Sequence, residues 1–146
     1  MLLVKKLLVI VVLGLLFSGN AYSGVVELKK CSVGDNKFNP KQYEKRSWVI
    51  NPEKSLVQRV AVLTDRFYEE QKKKFMKEFG DTEGLDKISV MNFKIEYSDK
   101  SYVKAVKKWT SAQGSPIETS VEINIKKRKV LYKMHQRARA TINQCK

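Results

Sequence analysis

Cys31, Cys145, His135 and the basic run Lys126, Lys127, Arg128 and Lys129 are the side chains whose types and spacing could do chemistry in this chain of 146 residues. A catalytic thiol pair sits as C-x-x-C with a lowered thiol pKa, and a structural metal site takes four Cys or His ligands. Two cysteines 114 positions apart and a single histidine satisfy neither requirement. An even cysteine count in an exported chain instead predicts a disulfide between Cys31 and Cys145. His135 stands between Lys133 and Arg137 with no carboxylate partner to make it a general base, so it is read as a solvated side chain. The carboxylate pairs Glu69 with Glu70, and Glu118 with Glu122, are read as surface charge. The chain has no G-x-S-x-G elbow, no glycine-rich phosphate loop and no H-E-x-x-H pair, so we expect no catalytic residue, metal or cofactor.

The basic run belongs to a repeat. Ile123, Asn124, Lys127 and Val130 fit the pattern I-N-x-x-K-x-x-V, as do Ile50, Asn51, Lys54 and Val57 upstream. Alternating apolar residues flank both copies, so each is expected to be a β-hairpin. The first tip, residues 52–55, is nearly neutral; the second is wholly basic. An anion-contacting surface is therefore expected at Lys126, Lys127, Arg128 and Lys129, with Lys133 beside them.

These residues must be positioned by strands. Val26 and Leu28 alternate with Val25, Glu27, Lys29 and Cys31, which puts Cys31 on the more polar face of a first strand. A loop over residues 32–45 precedes the first hairpin, whose returning strand, residues 56–63, is apolar on both faces apart from Gln58 and Arg59. Covering by the following element is expected. That element starts at Thr64 or Asp65, shows Tyr68, Phe75, Met76 and Phe79 at helical spacing, and stops at Gly80. Phe75, Met76 and Phe79 are expected to pack on the sheet. Met91, Phe93, Ile95 and Tyr97 then alternate with polar residues in the clearest strand of the chain. Residues 102–109 suit a returning strand or a short helix capped by Asp99; a loose echo of the repeated hairpin favours the strand. In the last stretch, Ala138, Ala140 and Ile142 are expected inward and Arg137, Arg139, Thr141, Asn143 and Cys145 outward. Both cysteines then share the outer face.

The predicted fold is mainly β, an antiparallel meander of about seven or eight strands forming a sandwich or partly closed barrel, with one inserted amphipathic helix. Residues 24–146 suit a single small domain. Before them, Lys5 and Lys6 precede an apolar run over residues 7–17 and the small-x-small pattern of Ala21 and Ser23, which reads as a secretory signal peptide over 1–23. The apolar run is short of the ~20 residues that cross a bilayer, so no transmembrane segment is expected after cleavage. The expected location is exported, periplasmic or secreted.

Basic residues outnumber acidic ones 29 to 15, for a formal net charge of +14. Such a field favours an anionic membrane surface or polysaccharide, and export argues against nucleic acid. The expected function is an exported, non-catalytic envelope protein, an interaction or structural module with a basic surface. The alternative is a lipocalin-like binder holding a small apolar or amphipathic ligand among Phe93, Ile95, Tyr97, Val121, Ile123 and Tyr132, although the G-x-W triplet that opens lipocalins is absent.

Overall fold

The structure, a computed structural model, describes residues 24–134 and 139–146. The expected signal peptide with its cleavage site, and His135, Arg137 and Ala138, lie outside the described residues. The chain forms strands β1 (Val26–Leu28), β2 (Tyr43–Asn51) and β3 (Leu56–Leu63), helix α1 (Asp65–Phe79), then β4 (Ile88–Ser98), β5 (Tyr102–Thr110), β6 (Pro116–Asn124), β7 (Lys129–Lys133) and β8 (Thr141–Gln144). Every strand pairs antiparallel with its sequence neighbour, and the eight-stranded meander curls into a half-barrel.

Its two ends are tied together. Beyond β1, the Ser32 and Gly34 amides donate to the Gln144 and Ile142 carbonyls at 2.9 and 2.8 Å, and the Lys146 amide donates to the Lys29 carbonyl at 2.9 Å. On its other side the same segment is held to β2 by the Cys31 amide, which donates to the Arg46 carbonyl at 2.9 Å. The Cys31–Cys145 disulfide crosses this junction.

The core lies on the concave face. Leu28, Trp48, Ile50, Val57, Phe93, Val103, Ala105, Val121, Ile123, Val130 and Tyr132 form one buried cluster with both cysteines. Trp48, Phe93 and Tyr132 meet at ring-centroid distances of 5.7 to 6.2 Å, with Phe93 edge-on to Tyr132. Pairs of this geometry add about 0.5–1.5 kcal/mol beyond their area burial.

The disulfide itself belongs to this core, contrary to the outer-face expectation: Cys31 is 1% exposed and Cys145 5%. Lys30, at φ 50°, interrupts the alternation between Leu28 and Cys31, so both of these face inward. In β8 the register against β7 sets the faces. Asn143 lies opposite Val130 and is buried, while Ile142 lies opposite Leu131 and is 44% exposed. The two cysteines do share a face, and it is the inner one.

The two copies of the repeated motif fold alike. Asn51 Oδ1 accepts from the Lys54 amide at 3.3 Å, and Asn124 Oδ1 from the Lys127 amide at 3.0 Å. Ser55 and Arg128, each one residue further on, take φ of 53° and 52°. Their carbonyls accept from the next strand along, Ile95 N–H and Cys145 N–H respectively, each at 2.9 Å. Residues 102–109 are indeed strand, but the turn before them is different. There Asp99 Oδ1 accepts from the Ser101 and Tyr102 amides, both at 2.8 Å.

Helix α1 starts and stops where expected. Thr64 caps it by accepting from the Phe67 amide at 3.3 Å, and Gly80 ends it in the left-handed region at φ 77°. It does not cover the sheet, however. Met76 is 53% exposed, Phe79 66%, and no helix residue is fully buried. Gln71 and Lys72 occupy the turn between Tyr68 and Phe75, so the apolar stripe is broken in the middle. Its first turns are anchored: Phe67 meets Tyr43 at 6.1 Å, Thr64 hydrogen-bonds to the Gln42 and Lys41 carbonyls, and Asp65 pairs with Lys87. Uncovered, Ile88 and Val90 on β4 remain exposed beside half-buried Val60 and Val62 of β3.

The disulfide spans 114 positions, and in the chain-entropy description a loop of this order contributes about 4 to 5 kcal/mol. Replacing both cysteines with serine is expected to cost about 2–5 kcal/mol and to lower the thermal midpoint by about 10 °C or more. Thermal melts of the double variant and of reduced wild-type protein check this, and the two should agree.

Candidate functional site

In a meander, alternate connections fall at the same end of the sheet. Here the β2–β3, β4–β5 and β6–β7 tips share one end, and the loop after β1, the helix and the β5–β6 loop share the other. Two recesses follow, one at each end.

The hairpin-tip end holds a recess of about 460 Å³ lined by Val25, Val26, Ile50, Pro52, Val103 and Ile125, with Ser98, Asp99 and Lys100 at its margin. It is an apolar floor with a charged rim. The tips bring Lys54, Lys100, Lys126, Lys127 and Arg128 to this end, where Glu53 and Asp99 are the acidic tip residues. Lys126, Lys127 and Arg128 are exposed, and Lys129, at the base of the turn, is half-buried. The turn that carries them is clamped. Gln144 Nε2 donates to the Lys127 and Arg128 carbonyls at 2.9 and 3.2 Å, and the Cys145 amide donates to the Arg128 carbonyl. Basic side chains are thereby presented from a backbone fixed next to the disulfide.

Lys133 is not part of this group. It ends β7 opposite Ser120, four residues from Lys129 and so about 13 Å along the strand. The strict alternation expected for β4 also breaks. A bulge between Ile95 and Tyr97 shifts the register, so Ile95 lies opposite Ala105 and packs on the core whereas Tyr97 lies opposite Lys104. Tyr97 is 54% exposed and meets the tilted ring of Tyr102 at 6.1 Å on the outer face. Phe93, Ile95, Val121, Ile123 and Tyr132 are brought together, as mutually packed members of the core cluster and its margin. The carboxylates of Glu69 and Glu70 pair with Lys72 and Arg66 on the helix surface.

The opposite end holds a recess of about 260 Å³ lined by Cys31, Val33, Asn36, Tyr43, Arg46, Ser47, Trp48, Arg59, Ala61 and Asn143. Arg46 and Arg59 lie one diagonal apart, opposite Ala61 and Trp48. Neither is among the site residues expected from the sequence. Counting by twos from buried Val57 puts Arg59 on the concave face, and counting back from Trp48 does the same for Arg46.

The Asp99 turn shapes the rim of the first recess. Backbone donation from Ser101, the Tyr97 hydroxyl and the Tyr102 amide hold the Asp99 carboxyl below its ordinary value of 3.8, and the same contact raises the Tyr97 phenol. A carboxyl depressed in the folded state supports folding above its unfolded pKa and loses that support as pH falls through the folded one. Wild-type protein should therefore lose stability in part through Asp99 as pH falls below the ordinary carboxyl value of 3.8, and Asp99→Ala should show a shallower acid slope in melts carried below that value. No known protein family, characterised protein or solved structure matches the chain, so the geometry of these two ends is what bears on function.

Proposed function

We propose that this is an exported, non-catalytic envelope protein, an interaction module that attaches through its hairpin-tip end to an anionic surface. The observation that carries the reading is that the tips bearing Lys54, Lys100, Lys126, Lys127 and Arg128 share one end of the sheet with an apolar recess of about 460 Å³, which Lys100 lines. Basic side chains near an anionic bilayer contribute about 1 kcal/mol each, and the apolar floor can take part of an acyl chain or a headgroup edge. A membrane surface therefore fits better than a polysaccharide, which would find cations but little use for the apolar floor.

An exported setting is supported by the disulfide, which forms and persists in oxidising compartments, and by the signal-like segment over residues 1–23. Among the described residues no helix is long and apolar enough to cross a membrane. Peripheral attachment is consistent with that, and it would be reversible and salt-dependent.

The test is cosedimentation of the mature chain with phosphatidylglycerol-containing vesicles and with neutral phosphatidylcholine vesicles. Wild-type protein should be retained by the anionic vesicles only. Reversing Lys126, Lys127 and Arg128 to Glu should weaken retention by about a hundredfold or more, since each position loses an attraction of about 1 kcal/mol and gains a repulsion. Undiminished retention of the triple variant would refute the proposal. Retention on an acidic polysaccharide but not on vesicles would replace the membrane with that polymer.

A further inference from the structure

The recess at the helix end is cationic and aromatic. Arg59 reaches it from β3, with its guanidinium 5.2 Å from the Tyr132 ring centroid and its backbone opposite Trp48 and Met91. Among the described residues no carboxylate lies within ion-pair distance of it and no hydrogen bond engages its side chain. Arg46 stands beside it, already fixed. Its Nε donates to the Cys31 carbonyl and a terminal nitrogen to the Asn36 carbonyl, both at 2.8 Å, while its guanidinium covers the Tyr43 ring at 4.7 Å. Among the described residues neither Asp nor Glu lines the recess.

A guanidinium drawn partly out of water is stabilised by a matching anion, because the withdrawal costs hydration that a neutral wall does not replace. The nearby rings offset part of that cost. Arg59 retains a planar fork of N–H donors, the geometry that holds a carboxylate through two parallel hydrogen bonds. Around it Val33, Tyr43, Trp48 and Ala61 supply apolar and aromatic wall. The volume of about 260 Å³ falls just below the range usual for drug-sized ligands, so the occupant is small.

We propose that this recess is a binding site for a small amphipathic carboxylate, with Arg59 as the head-group ligand, Arg46 as a second, pre-positioned cation, and Val33, Tyr43 and Ala61 against the tail, above the buried Trp48 ring. The site lies at the opposite end from the membrane-facing tips and does not depend on them. It also differs from a ligand held in the barrel interior, where Phe93, Val121 and Ile123 occupy the space themselves. Burial of the tail supplies affinity; the guanidinium supplies the choice of head group.

The test is titration of the disulfide-intact chain with octanoate, 1-octanol and acetate, followed by calorimetry and by NMR of the Trp48 indole and Arg59 Nε–H signals. Octanoate should shift both signals. Octanol lacks the charge and acetate the tail, and each should bind at least about tenfold more weakly, the charge-assisted hydrogen bonds alone accounting for about ten- to hundredfold. Arg59→Met should remove the preference for octanoate over octanol, and Arg59→Lys should keep part of it. The Lys126, Lys127 and Arg128 reversal should leave octanoate binding unchanged while abolishing vesicle retention, which separates this site from surface attachment. Equal binding of octanoate and octanol by wild-type protein, shifts confined to other residues, or an unaltered preference in Arg59→Met would each overturn the assignment. The wild-type comparison stands even where a variant does not fold.

Discussion

The junction between the segment after β1 and the last strand is the constraint on which the rest of this structure depends. An antiparallel meander of eight strands has two free edges, and unpaired edges invite pairing with other chains. Here residues 29–34 hydrogen-bond to β2 on one side and to β8 on the other, and the Cys31–Cys145 disulfide locks the seam from inside. Closing the seam curls the sheet, and the curl creates a concave face that buries Trp48, Phe93 and Tyr132 together. The seam also fixes the basic tip, because the Arg128 carbonyl takes its hydrogen bond from Cys145 itself.

Much of this was legible from alternation and turn chemistry. The strands, the helix limits at Thr64 and Gly80, and the shared form of the two I-N-x-x-K-x-x-V hairpins follow from residues close together in the chain. The errors arose where the period of two is reset. A residue at positive φ, Lys30, turns Cys31 inward, and a bulge before Tyr97 turns that ring outward. Neither position carries a glycine or proline to announce it. In β8 the cause is different: apolarity favours Ile142 inward, yet pairing with β7 puts Asn143 there. Tertiary register overruled side-chain preference.

The two candidate sites were legible to different degrees. The basic run at residues 126–129 is plain in the sequence, but its grouping with Lys54 and Lys100 appears only once the meander places alternate tips at one end. Arg46 and Arg59 carry no local signal of binding. What marks them is their parity with buried neighbours, in a recess where no Asp or Glu appears among the described lining residues. The amphipathic helix misled in the opposite direction, since a stripe interrupted at Gln71 and Lys72 cannot seat along its length on a sheet.

The protein thus divides its surface between two ends joined by one packed core: a basic, apolar-floored end, proposed to meet an anionic surface, and a guanidinium-lined recess at the other. The central claim is the orientation this implies. Backbone NMR of the protein on phosphatidylglycerol nanodiscs carrying a paramagnetic headgroup label tests it most directly. Broadening should concentrate at the three tips, residues 52–55, 99–101 and 125–128, with the Arg59 recess and helix α1 unaffected. Broadening centred on Met76 and Phe79 of the helix, or spread evenly over the surface, would contradict it.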